Sequence, residues 1–408
     1  YHSLGNYAKA IEYAQQWLAL AREIKDRKDE GLALVILGAA YHSLGNHTKA
    51  IEYAQQWLAI AREMKNRFGE KAALGILGIA YNSLGNYAKA IEYSQQWLAI
   101  ARSIKDREGE GVALGLLGIA YQFLGNYTQA IEYLDLSLAI AREIKNRQGE
   151  GNALGNLGTA YRFLGNYARS IEYAQLSLAI FREIKDRKEE GNALGNLGTA
   201  YLYLDNYAKA IEYLQLSLAI AREIKNRQGE GNVLGNLGIA YLNLGNSAKA
   251  IEYAQQTLAI AREIKNSLGE GGALHNLGAA FLKAGNLTEA DKMLVNAIQV
   301  WELMRQMLGS NDANKVSIFE GQARTYRTLQ QVRVAQNNPI AALEIAERGR
   351  ARAFVDLLTE RLSSGSTPLI TAAPDPDRIR QIAKSQKATL VQYSIVYDDF
   401  QIQGKSES

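Results

Sequence analysis

The sequence predicts an all-α fold: a right-handed α-solenoid, a superhelix of antiparallel helix pairs, with one short β segment at the C-terminal end. Three observations carry that reading. Tyr41, Tyr81, Tyr121, Tyr161, Tyr201 and Tyr241 recur every 40 residues, each preceded by Gly-x-Ala and followed by x-x-Leu. The tract Ala-Ile-Glu-Tyr returns at the same interval from Ala50 to Ala250, with Ser170 opening one copy. All four prolines lie at or beyond Pro339, so nothing before it breaks a helix by ring geometry. A fixed period of this length marks stacked supersecondary units, each burying its apolar face against the next.

Six regular units occupy 30–269, preceded by a partial unit at 1–29. A worn unit follows at 270–309, where Asp-Lys-Met-Leu stands in place of Ala-Ile-Glu-Tyr. Within a unit, Leu154, Leu157, Gly158, Tyr161 and Leu164 fall at i, i+3, i+4, i+7 and i+10, one face of a first helix. Gly165 suits the left-handed position after that helix, and Asn166 suits the cap of the next. Ser170, Ile171, Ala174, Leu178, Phe181 and Ile184 then form the apolar stripe of a second helix. Asn146 or Asp186 caps the first helix of the following unit. Such short connections force neighbouring helices antiparallel. Glycines sit inside the first helices, in a Gly38 series and a Gly75 series. Each costs ~1 kcal/mol against alanine, so close helix approach against Ala50 and its equivalents is expected at the Gly38 series.

Leu37, Gly38, Tyr41 and Ala50 have the spacing of the tetratricopeptide repeat (TPR) signature, which the chain resembles in six or seven consecutive units. The 40-residue unit, a longer second helix and the consensus LAIAREIKDRxGEGxALxNLGxAY resemble the type found in kinesin light chains and Pins-like adaptors. Leu34 stands where the family often has Trp, and the usual proline after the second helix is missing. The resemblance implies a scaffold that holds a partner protein or extended peptide in a concave groove.

Composition excludes several other classes. Lys+Arg number 46 and Asp+Glu 42, a net charge of +4, which does not make a nucleic-acid surface. There is no cysteine, and the four histidines are too scattered for a conventional metal centre, so neither metal nor cofactor is expected. No apolar run reaches the ~18 residues of a membrane span and no signal peptide opens the chain, so no membrane contact and a cytoplasmic location are expected. No initiator methionine is present, so a fragment or processed chain is expected. The tract GEGNALG at 149–155 lacks the preceding strand of a phosphate loop. The sequons at Asn46, Asn126 and Asn286 read as helix caps. The charges of the second helices, including Glu52 and Arg62, read as a solvated outer face. No nucleophile or acid–base pair suggests an enzyme in this chain.

The groove row follows from geometry. With Leu154 at 0°, residues 152, 156, 159 and 163 fall at about 140° to 200°, opposite the intra-unit core. Early units place Leu32, Ile36, Val112 and Leu116 there; later ones place Asn152, Asn156, Asn192, Asn196, Asn232, Asn236 and Asn276. The groove is expected to be apolar in its first half and amide-lined in its second. An amide both donates and accepts, so this ladder suits the backbone of an extended peptide. Arg162 is expected to meet a carboxylate, while Phe123, Phe163 and Tyr203 offer side-chain pockets. Trp17, Trp57 and Trp97 accompany the apolar rows, whereas Ser137, Ser177 and Ser217 accompany the asparagines. Packing of a large aromatic on an apolar neighbour, or duplication of two ancestral repeat types, explains that coupling equally well.

Beyond 309 the period fails. Residues 310–362 read as a divergent helical unit, with Pro339 at a second-helix start. Residues 363–387 form a linker by composition. At 388–408 the run Ala388 to Val396 is a β-branched strand. The tracts AERGRARAFVDLL (346–358) and ATLVQYSIVYDDF (388–400) together resemble the entry to a CHAT domain, a caspase-like module often preceded by such repeats in bacteria, cyanobacteria especially. That resemblance implies a recruiting arm for a cysteine peptidase whose His and Cys lie beyond Ser408.

Overall fold

The computed structural model describes residues 7–307 and 312–349, with side chains described outside 306–320. It is helical throughout, with no strand among the described residues. The expected strand and linker, and all but the first residues of the CHAT-like tract, lie outside the described residues. Two compact units divide at Ala200 and Tyr201. The first holds α1 (Tyr7–Glu23), α2 (Arg27–Ser43), α3 (His47–Glu63), α4 (Arg67–Ser83), α5 (Tyr87–Ser103), α6 (Arg107–Phe123), α7 (Tyr127–Glu143), α8 (Arg147–Phe163), α9 (Tyr167–Glu183) and most of α10 (Arg187–Tyr203). The second holds α11 (Tyr207–Glu223), α12 (Arg227–Asn243), α13 (Ser247–Glu263), α14 (Ser267–Lys283), α15 (Leu287–Met307) and α16 (Asp312–Ala335). A further helix, α17, starts at Pro339 and runs to at least Gly349. Within each unit a helix packs on its sequence neighbours, and first helices also touch across repeats, as α2 does α4 and α12 does α14.

Turn chemistry sets the helix lengths. The Asn146 side chain accepts from Gly149 N–H at 2.8 Å, and Asn166 accepts from Arg169 N–H at 3.2 Å. Gly165 ends α8 at φ +75°, and Asn166 N–H returns to Tyr161 O at 2.9 Å. After the second helices the same left-handed position holds lysine: Lys145 has φ +56°. This turn stops the second helix early, so α8 and α9 are both 17 residues and the expected longer second helix is absent.

Leu154 and Leu157 are fully buried, as are Leu114 and Leu117. Leu164, expected on that face, is instead 47% exposed, because it is the C-cap and the helix turns away there. Tyr161 stacks on Tyr173 across the helix pair at 5.4 Å, and Arg169 Nη1 donates to the Tyr161 hydroxyl at 2.8 Å. The Gly38 series divides. A Cβ on Gly158 would come within 3.1 Å of Ser170 O, and one on Gly118 within 2.6 Å of Leu134. At Gly38 and Gly238 the nearest atoms lie at 3.4 Å and 3.5 Å, ordinary contact, so close approach does not account for every copy.

A ladder of ion pairs joins the repeats. Glu110, 7% exposed, receives Arg102 Nε at 2.8 Å and Arg107 Nη1 at 2.5 Å. Arg107 also bonds Glu143, whose neighbour Arg142 reaches Glu150 at 2.9 Å. The Arg62 position is therefore not simply solvated: Arg62 pairs with Glu70 at 2.9 Å. Burial pushes the Glu110 carboxyl up, but the two guanidiniums outweigh it and hold it below the ordinary carboxylate range.

Candidate functional site: the exposed face of the first helices

The residues opposite each intra-unit core lie at the surface, because their neighbours on the helix take the buried positions. In the first unit Asn152 and Asn192 are exposed, while Asn156 and Asn196 are half-buried one turn further on. In the second unit Asn232 is exposed, and Asn236 and Asn276 are half-buried. Two of the outer asparagines engage their own helices: Asn192 Nδ2 donates to Glu189 at 2.9 Å, and Asn232 accepts from Gln228 at 3.0 Å. The Asn156 and Asn196 amides make no side-chain hydrogen bond among the described residues. A half-buried amide in that state has both donor and acceptor capacity to offer a ligand. At the apolar end, Leu32 and Val112 are 43% and 45% exposed, while Ile76 and Leu116 pack against the first unit's core.

The aromatic tips form stacks rather than open pockets. Phe163 stacks on Tyr127 at 5.4 Å with the rings 3° from parallel, and Phe123 stacks on Tyr87 at 5.0 Å. The half-buried Arg162 places its guanidinium 4.3 Å from the Phe163 ring centre, a cation–π contact. Phe163 still exposes 47% of its surface and Tyr203 exposes 52%. Phe123 and Phe163 thus each seat on the Tyr opening the preceding second helix. A spacing of 36 residues between aromatics at unit ends was the signal for this contact.

Behind the row lies the Trp/Ser exchange. Trp97 occupies the space over Gly75, where an added Cβ would meet its ring at 3.3 Å. In the next repeats Ser137 and Ser177 face Gly115 and Gly155 in the same way. Their hydroxyls donate to Gly111 O at 2.8 Å and to Gly151 O at 2.9 Å. Trp57 and Trp97 share one apolar core with Ile76 and Leu116, so packing explains the coupling at the apolar end. Serine, satisfied by a backbone carbonyl, makes no such demand on the asparagine row.

No group of three or more His, Asp or Glu side chains suited to a metal occurs among the described residues. Nor is any described helix long and apolar enough to cross a membrane.

Helix pairs closed by Gly-Asn turns, stacked at a fixed period and presenting one face of the first helices, define an α-solenoid repeat protein. More narrowly, the chain belongs to the tetratricopeptide repeat family. Family profiles described as tetratricopeptide repeat match residues 1–63, 70–143, 112–183, 149–223 and 189–263, and another matches 272–304. Tetratricopeptide repeat protein 28 of Mus musculus is 32% identical over 102 residues, as is that of Homo sapiens. The match spans 25% of this chain but 4% of each relative's length. Among solved structures, the chain is similar to a signal-transduction ATPase with a tetratricopeptide repeat sensor from Pyrococcus horikoshii. That similarity has TM-score 0.57 and 18% identity over 86% of this chain and 54% of the other. Aspartyl phosphate phosphatase F of Bacillus subtilis matches at TM-score 0.57 and 15% identity, over 90% and 97% of the two chains. A Rap protein complexed with competence and sporulation factor matches at 0.53 and 15%, over 82% and 98%. At these identities the likeness shows the fold alone.

Proposed function

We propose that the chain is a protein–protein interaction scaffold that holds an extended peptide or protein segment along the first-helix face. The observation that carries this reading is the pair of half-buried amides, Asn156 and Asn196, with no side-chain hydrogen bond of their own. An extended strand presents N–H and C=O groups to such a row whatever its side chains. The reading is supported by a Rap protein of similar fold, which is complexed with competence and sporulation factor. Asn236 and Asn276 hold the equivalent positions within the second unit, and in the first unit Arg162 supplies a cation for an acidic group of the ligand. Panning a displayed library of random peptides against the intact chain tests this. Binders to the native chain should lose at least tenfold in affinity with N156A/N196A, at unchanged helicity. Equal affinity for the variant sinks the amide ladder.

A second reading rests on the sequence at 346–358 and 388–400. In it the array recruits substrate or signal for a CHAT-type cysteine peptidase, and the kinesin-light-chain and Pins-like consensus marks it as an adaptor arm. Coding sequence beyond codon 408 with a His and a Cys in α/β-patterned segments would support it. Its absence leaves the scaffold alone.

A further inference from the structure

The turns between first and second helices share one backbone, but two flanking positions vary. The last-turn residue is His42, then Asn82, Gln122 and Arg162 in the following repeats. The residue opening the second helix is His47, then Tyr87, Tyr127 and Tyr167. Only the first regular repeat carries an imidazole at both, and the two meet. His42 Nδ1 lies 3.1 Å from His47 Nδ1, with ring centres 4.9 Å apart and planes inclined by 48°.

We propose that His42 and His47 form a two-imidazole site for a late first-row divalent cation, Zn²⁺, Ni²⁺ or Cu²⁺, bound through both Nδ1 atoms. Metal–nitrogen bonds of about 2.0–2.1 Å at tetrahedral to right angles hold two nitrogens roughly 2.9–3.4 Å apart. The observed separation falls inside that range. The turn fixes it: Gly45 at φ +75°, Asn46 N–H bonded to Tyr41 O at 2.9 Å, and Asn46 Oδ1 accepting from Lys49 N–H at 3.2 Å. Both rings are half-buried, so each keeps a path to solvent. The neutral imidazole is the form that ligates.

Without metal the rings share one Nδ1–H···Nδ1 bond. On binding, that proton moves to Nε2 of the same ring, so both Nδ1 lone pairs face the cation and no net proton is released. Water completes the sphere. Imidazole donors select these cations over Mg²⁺ and Ca²⁺, which prefer oxygen.

The test is calorimetric titration of the untagged full chain, at pH 7.5, with NiCl₂, CuCl₂ and ZnCl₂ separately, and with MgCl₂ as control. One site per chain is expected for at least one of the three, and none for Mg²⁺. The variant H42N/H47Y installs the pair that the next repeat carries at Asn82 and Tyr87, so its fold has a precedent in this chain. It should weaken binding at least tenfold at an unchanged melting temperature without metal. Binding unaltered in H42N/H47Y would place the metal elsewhere and overturn the proposal, as would no heat from the native chain up to millimolar metal. Nitrogen-15 shifts of the imidazoles on adding Zn²⁺ must move at Nδ1; a change at Nε2 alone also overturns it.

Discussion

At the level of single residues, the space behind each glycine decides what a methyl group does there. Gly272 lies inside α14 with nothing within 4 Å of an added Cβ, so Gly272→Ala adds helix propensity at no steric cost. It should stabilise the chain by about 1 kcal/mol, read as a higher midpoint in urea. Gly31 is the opposite case: its Cβ would fall 1.9 Å from the Trp57 ring. Gly31→Ala should destabilise by about 1–3 kcal/mol through overpacking, in the same assay. A midpoint that moves the same way in both would show that propensity alone governs these sites. Sequence reasoning weighed the interior glycines together because the period makes them look alike. Trp57 meets Gly31 from the next helix of the same repeat, while Gly272 faces open space, and the shared period does not distinguish the two. The caps were legible for the converse reason: Asn146 and Asn166 bond within three residues of themselves.

At the level of helices, two buried groups should make stability depend on pH in different windows. His275 lies on α14, where earlier repeats have Gly155 or Gly235. Its Nδ1 is 3.3 Å from Thr325 Oγ1 on α16. That hydroxyl donates to Gly321 O at 2.7 Å, so it accepts from His275 and from Trp301 Nε1 at 3.2 Å. Burial, with Arg324 nearby, pushes the imidazole down to about 3. Unfolded, it takes a proton near 6.5, so between those values the unfolded state holds more protons. Stability therefore falls as pH drops below 6.5, by up to about 1.4 kcal/mol per pH unit. Amide exchange in α14 and α16 should quicken below pH 6.5 relative to α8 and α9, which carry no histidine. His275→Gln should abolish that slope; a slope that survives would place the proton uptake elsewhere. The glutamates act lower. With its carboxyl held below the ordinary 4.5, Glu110 contributes stability above that value and loses it as pH falls through the folded one. Arg102 and Arg107 keep about half their side-chain surface in water, so the pairing is screened. Glu110→Gln should cost only about 1–2 kcal/mol at pH 7 and less at pH 3. An equal loss at both pH values would mean packing, not charge. The ladder was hidden in the sequence because Arg102 and Glu110 belong to different repeats, across a turn that reads as solvated.

At the level of the array, the described helices within each unit touch chiefly their neighbours in sequence and, for first helices, the equivalent helix one repeat away. Perturbation in such a stack decays from repeat to repeat instead of spreading through a common core. That constrains how the amide row can act. Asn156 on α8 and Asn196 on α10 occupy equivalent positions one 40-residue repeat apart. Neither side chain bonds the other, and no shared polar partner joins them among the described residues. Their contributions to holding an extended peptide should add: the N156A/N196A loss should equal the sum of the single losses within about 0.5 kcal/mol, for any one library-derived peptide. Titration of native chain, both single variants and the double variant closes that cycle. A double loss well below the sum would mean the peptide touches one amide and the second only through it, as a folded partner docking at one repeat does. Additivity fits a strand laid across successive repeats, where lengthening the row by one asparagine lengthens the ligand it reads. The same logic sets the limit at the apolar end: Leu32 and Ile36 offer area without direction, so under the proposed reading the register of a bound peptide comes from the amides.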